Sequence, residues 1–195
     1  MLRPQDPPIV PEETRRVARA AFPKGTLCLR IADALGPVYQ DGQFAALFRY
    51  DNENLWFGRS DTPLEWPDPV RIMTPRYPWE FVQIGNCGSP IEVDEGWLLF
   101  THGVGLVRGY CVGACLLDKE DPSKVLARTP SPLLFPSAEQ RGGYVPNVTY
   151  SCGALLHGRR ILLPYAIGDE YSAFATGNVD DLLSVMEPQD SSDTR

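Results

Sequence analysis

From Phe44 to about Met186 the chain is a succession of short apolar runs, rich in β-branched and aromatic residues and cut by Gly, Pro, Asn and Asp. That pattern predicts short strands joined by tight turns. The residues before it read differently. Pro11-Glu12-Glu13 opens a stretch that runs to Phe22, with acids in its first turn and Pro23 as a stop, which predicts a helix. A second apolar segment, Leu27 to Leu35, ends at Gly36-Pro37. The shift near residue 47 divides the chain into a helical or disordered segment (1–47), a strand-rich part (48–186) and a disordered tail (187–195).

The strand-rich part repeats itself. Trp97-Leu98-Leu99-Phe100-Thr101-His102-Gly103-Val104-Gly105 aligns with Ile161-Leu162-Leu163-Pro164-Tyr165-Ala166-Ile167-Gly168-Asp169, in each case an apolar strand ending in a polar, glycine-containing turn. Upstream, Cys87-Gly88-Ser89 aligns with Cys152-Gly153-Ala154, and downstream Tyr110 aligns with Tyr171. A repeat of roughly 60 residues built from about four short strands has the size of a propeller blade, a sheet that must stack on neighbours to bury both faces. Leu55 to Trp66 reads as the outer strands of an earlier blade. At that length the chain holds two blades and part of a third, whereas propellers close with at least four. The fold class predicted is therefore all-β, a partial propeller with a short helical N-terminal segment.

Composition narrows the function. With 25 Asp+Glu against 18 Lys+Arg the net charge is −7, and no Lys/Arg-rich block occurs, which argues against nucleic-acid binding. No apolar run reaches the length of a membrane span and the N-terminus has no apolar signal core, so no membrane partner is expected and a cytoplasmic location is. Five cysteines, with no CxxC and no histidine beside Cys111 and Cys115, fit reduced thiols and give no metal site.

Longer strings identify a family. Tyr77-Pro78-Trp79-Glu80-Phe81-Val82-Gln83-Ile84-Gly85-Asn86-Cys87-Gly88-Ser89-Pro90-Ile91-Glu92, Glu95-Gly96-Trp97-Leu98-Leu99 with Thr101-His102-Gly103-Val104, Leu116-Leu117-Asp118 with Asp121-Pro122-Ser123-Lys124-Val125, and Gly143-Tyr144-Val145-Pro146-Asn147-Val148 leading to Cys152-Gly153-Ala154 resemble the C-terminal part of glycoside hydrolase family 130, the β-mannoside phosphorylases and hydrolases. The resemblance implies a five-bladed β-propeller, a mannose-containing oligosaccharide as partner, inorganic phosphate as co-substrate of the phosphorylases and no other cofactor. Residues 1–47 instead resemble the N-terminus of insertion-sequence transposases, through Leu2-Arg3-Pro4-Gln5-Asp6-Pro7-Pro8, Pro11-Glu12-Glu13-Thr14, Val17 to Gly25 and Phe44-Ala45-Ala46-Leu47-Phe48. A mobile element landing inside a glycosidase gene would produce such a chimera.

The family resemblance also implies site residues. Its members use one aspartate as general acid, in a Glu-Asp-Pro-Arg motif of an earlier blade. The Glu-Asp-Pro here, Glu120-Asp121-Pro122, is followed by Ser123 and aligns with a peripheral motif, so no catalytic residue is assigned and turnover falls by roughly 10²- to 10⁴-fold or more without the acid. His102 and Tyr110 match family residues that contact phosphate, and Asp169 one that holds sugar hydroxyls. Asn86 and Trp79 are further candidates for substrate contact, Trp79 as a stacking platform. Each has an ordinary alternative: a strand-end hydrogen bonder for His102, packing for Tyr110 and Trp79, turn capping for Asp169, a structural turn for Asn86 and Asn147. Gln83 replaces a lysine that many of the phosphorylases carry, which removes one phosphate-neutralising charge. The expected product is a truncated enzyme, inactive alone, or one completed by homo-oligomerisation or a partner fragment; a transposase-derived DNA role is the least supported.

Overall fold

The computed structural model describes residues 28–30, 44–61 and 65–189. The helix expected over Pro11–Phe22 and the end of the chain beyond Gln189 lie outside the described residues.

Strands form three antiparallel sheets in chain order. The first is β1 (Cys28–Arg30), β2 (Phe44–Phe48), β3 (Leu55–Ser60) and β4 (Val70–Met73), paired in that sequence. Its β2–β3 hairpin is turned by Asp51, whose carboxylate accepts hydrogen bonds from the backbone N–H of Glu53 and Asn54 and from the Asn54 side chain. The second contains β5 (Gln83–Asn86), β6 (Ile91–Val93), β7 (Gly96–Val104), β8 (Tyr110–Leu117) and β9 (Val125–Arg128). There β7 lies between β8 and the end-to-end pair β5 and β6, with β9 outside β8. The third repeats this plan with β10 (Thr149–Tyr150), β11 (Leu155–His157), β12 (Arg160–Ile167) and β13 (Tyr171–Asn178). The correspondence β5/β10, β6/β11, β7/β12 and β8/β13 is the repeat read from the sequence.

Two differences from that reading stand out. The first sheet is four-stranded because Cys28–Arg30 pairs along Ala45–Leu47, so the boundary drawn at residue 47 falls inside β2. Glu187–Pro188, assigned to a disordered tail, forms β14 on the outer edge of β9. Short strands at a sheet edge supply partners to backbone groups that apolarity alone does not reveal. Between β13 and β14 lies the one α-helix described, α1 (Val179–Ser184). It is capped by Asn178, whose side chain accepts from Asp180 N–H, and Asp180 and Asp181 complement the positive end of its dipole.

The middle sheet is buried on both faces. All nine residues of β7 are buried, and alternate ones serve opposite cores. Trp97 and Leu99 join Leu47, Leu55, Phe57 and Ile72 of the first sheet, while Leu98 and Phe100 join Ile161, Leu163 and Leu182 on the other side. Hence β7 reads as a continuous apolar run. In β12 only Ile161 and Leu163 are buried, and Leu162 and Pro164 point outward. The three sheets do not close into a ring among the described residues.

The Pro78-Trp79-Glu80 turn is pinned to the middle sheet. Glu80, fully buried, accepts from the N–H groups of Arg76 and Tyr77 and ion-pairs with Arg128, which also donates to Thr74 O at 3.1 Å. Trp79 donates from Nε1 to Pro130 O at 3.0 Å, and its ring lies where a Cβ on Gly103 or Gly113 would come within 2.5 Å.

Candidate functional site

A cavity of about 540 Å³ opens where the β7–β8 and β12–β13 turns meet the segment entering β10. The first turn contributes Val107, Arg108 and Tyr110, and the second contributes Asp169. Val145 to Val148 and Tyr150 complete the lining. Backbone hydrogen bonds hold the three pieces together: Tyr110 N–H donates to Asn147 O at 2.9 Å, Val145 N–H to Gly168 O at 2.9 Å and Gly168 N–H to Val148 O at 2.8 Å. The volume lies within the range of small-molecule sites.

Backbone strain gathers here. Val107, Arg108, Asn147 and Asp169 have φ of 55°, 56°, 60° and 54°, and only two other non-glycine residues among those described, Asn52 and Asp68, have positive φ. For a β-branched residue such as Val107 this conformation is an outlier that surrounding contacts must maintain.

The residues singled out from sequence separate into two groups. Tyr110, at the start of β8, and Asp169, in the β12–β13 turn, line the cavity from neighbouring sheets. His102, one residue before Gly103 on β7, does not line it. Its ring is 1% exposed and packs against two tyrosines that do, Tyr110 with centroids 6.2 Å apart and Tyr150 at 5.1 Å. Burial, reinforced by the nearby Arg49 charge, pulls the His102 pKa down to about 4 against a hydrogen bond with the Asn86 backbone, so the imidazole is neutral at pH 7. Its Nδ1 lies 3.9 Å from Cys87 Sγ.

Asn86 is 1% exposed and donates from Nδ2 to Gly88 O at 3.3 Å, leaving Oδ1 buried without a hydrogen-bond partner among the described residues. It stands in the wall beside His102 rather than on the cavity. Trp79 packs beneath β7 and β8 as described above. Asp121 lies in the turn after β8, bound to Ser123 and paired with Lys124. That is the opposite end of the strand from Tyr110, roughly 23 Å away at about 3.3 Å per residue.

Sequence reasoning missed Arg49 and Tyr150. Arg49 lies just past the end of β2, and its side chain meets the His102 ring over Gly85, where a Cβ would lie 2.9 Å from Arg49 Cδ and 2.5 Å from His102 Cε1. Only glycine fits that point. The signal available was its place at a strand end, shared with too many residues to be decisive.

A family model described as beta-1,4-mannooligosaccharide phosphorylase, glycoside hydrolase family 130, matches residues 19–188. The chain belongs to glycoside hydrolase family 130. Among curated relatives of this family-130 chain is the 1,2-beta-oligomannan phosphorylase of Thermoanaerobacter sp. (strain X514), 36% identical over 70% of this chain and 46% of that protein. The beta-1,4-mannooligosaccharide phosphorylase of Ruminococcus albus is 34% identical over 71% and 43%. Among solved structures, beta-1,2-mannobiose phosphorylase from Listeria innocua, in complex with beta-1,2-mannobiose, superposes with a TM-score of 0.69 at 25% identity, over 84% of this chain and 47% of the other. The chain thus spans about half the length of the relatives it matches. The transposase resemblance of residues 1–47 finds no support in these matches: the family match starts at residue 19, and the strands Cys28–Arg30 and Phe44–Phe48 build the first sheet. No helix among the described residues is long and apolar enough to cross a membrane.

Proposed function

We propose that this chain carries a β-mannoside and inorganic phosphate site of a mannoside phosphorylase and that it does not turn over substrate alone. The observation that carries the reading is that Tyr110 and Asp169, matched to phosphate and sugar contacts, line one cavity in a chain whose curated relatives are mannoside phosphorylases. A carboxylate can accept hydrogen bonds from two vicinal hydroxyls, and a phenol can donate to a phosphate oxygen. Val107, Val145 and Val148 offer an apolar wall to the C–H face of a pyranose.

Phosphorolysis of such a bond has a phosphate oxygen attack the anomeric carbon while the glycosidic C–O bond breaks. A general acid gives its proton to the leaving oxygen, yielding mannose 1-phosphate and a shortened saccharide. Asp169 is the only carboxylate lining the cavity among the described residues and is engaged by sugar in this reading. Asp121 is at the far end of β8, and neutral His102 has no acidic proton to give. No described residue thus offers that acid to the cavity, and the second reading is an enzyme completed by a second copy or a partner fragment that brings one.

The test is to incubate the purified chain with β-1,2- and β-1,4-mannobiose, with and without phosphate, following mannose 1-phosphate and thermal unfolding together. Stabilisation by mannobiose without turnover is expected, since a ligand that binds only the native state raises its stability. Phosphate-dependent turnover would select the completed enzyme. The absence of both stabilisation and turnover would overturn the assignment.

A further inference from the structure

We infer that Arg108 is the anion-binding residue of this cavity, holding phosphate beside Tyr110 while Asp169 takes the sugar; the inference rests on the function proposed above.

A doubly charged phosphate needs a cation within hydrogen-bond reach, because a neutral donor alone recovers little of its lost hydration. Several candidates fail. Position 83 is Gln, without charge. His102 is covered by Tyr110 and Tyr150 and is uncharged at neutral pH. Arg49 is turned toward Gly85 and His102 and does not line the cavity. Arg108 does line it and, among the described residues, is the one cation that does.

Its surroundings fit the role. Arg59, Arg128 and Arg159 are each paired with carboxylates, whereas Arg108 is exposed and has no ion-pair partner among the described residues. The turn that carries it is closed by hydrogen bonds from Gly105 N–H to Gly109 O at 3.0 Å and from Gly109 N–H to Leu106 O at 3.4 Å. Two successive left-handed residues, Val107 and Arg108, result. A relaxed turn would not need that conformation, and here it sets the guanidinium on the cavity beside Tyr110. The planar fork can bind two phosphate oxygens at once. Asp169 repels an anion, so the same cavity has a cationic end for phosphate and an anionic end for hydroxyls.

Isothermal titration of the intact chain with inorganic phosphate at constant ionic strength, and separately with β-1,2- and β-1,4-mannobiose, tests this. Arg108→Ala is expected to weaken phosphate binding about tenfold or more, the effect of a charge-assisted contact, with Arg108→Lys intermediate and mannobiose affinity unchanged. Arg160→Ala, an exposed arginine at the other end of β12, controls for net charge and should bind phosphate as the parent does. Equal phosphate affinity in Arg108→Ala, or an equal loss in Arg160→Ala, overturns the role of Arg108 and leaves the proposed function standing. A parent chain that binds mannobiose but not phosphate overturns the inference together with the phosphate half of the proposed function, and leaves the mannoside half standing. A parent that binds neither overturns both.

Discussion

His102 shows what burial does to a residue chosen for its charge. Its folded pKa of about 4 lies below the 6.5 of an exposed histidine, so below pH 6.5 the unfolded chain takes up a proton that the folded chain refuses. The contribution to stability is complete above pH 6.5 and is lost as pH falls toward 4, amounting to about 3 kcal/mol at most. Urea midpoints measured over that range should fall for the parent and fall less steeply for His102→Gln. An equal slope in the two would mean that His102 is not held neutral. Glu80 and Arg128 make a second case: both are almost completely buried, so removing either alone strands a charge. Arg128→Leu is expected to cost about 3–5 kcal/mol in denaturant unfolding, and Glu80→Met with Arg128→Leu to cost less than that single change.

At the scale of elements, β7 and β8 owe their close fit under Trp79 to two glycines. Gly103→Ala or Gly113→Ala would drive a methyl into the indole, and either should destabilise by about 1–3 kcal/mol and change Trp79 fluorescence. Sequence pattern showed the tryptophan in a Pro-Trp-Glu-Phe context, which suits a sugar platform as well as packing. Only the pairing of β7 with β8 brings Gly103 opposite Cys111 and Gly113 opposite Thr101, opening the groove that the ring fills. The third sheet presents the opposite situation. Phe174 on β13 is 70% exposed and Leu155 on β11 is 68% exposed, and no described strand pairs with β13 on its far side. Concentration-dependent self-association is expected in light scattering, and Phe174→Lys with Leu155→Lys should reduce it without lowering the melting temperature.

For the molecule as a whole, the two cores sit either side of the middle sheet and make it the best-buried element. Destabilisation should follow that order. Leu99→Ala, in the core shared with the first sheet, is expected to cost about 2–5 kcal/mol, and Leu162→Ala, on the outward face of β12, well under 1 kcal/mol in the same unfolding assay. A comparable cost for Leu162→Ala would show that its face is covered in solution. That measurement therefore reports on completion of the fold by a second chain, independently of catalysis.

The sequence by itself determined the strand-rich class, the repeat that relates the second and third sheets, and the family. These depend on local alternation and on strings of neighbouring residues, which survive without knowledge of contacts. It also named Tyr110 and Asp169 as separate candidates, and the fold brings both to one cavity because the β7–β8 and β12–β13 turns lie side by side. Tertiary structure alone decided which candidates face the cavity. It placed His102 behind two tyrosines, Asn86 in the wall and Trp79 under the sheet, and it added Arg49, Tyr150 and Arg108. Solvent access, and with it charge state, is set by packing between segments distant in sequence, and no local pattern encodes which side of a buried strand a ligand will meet.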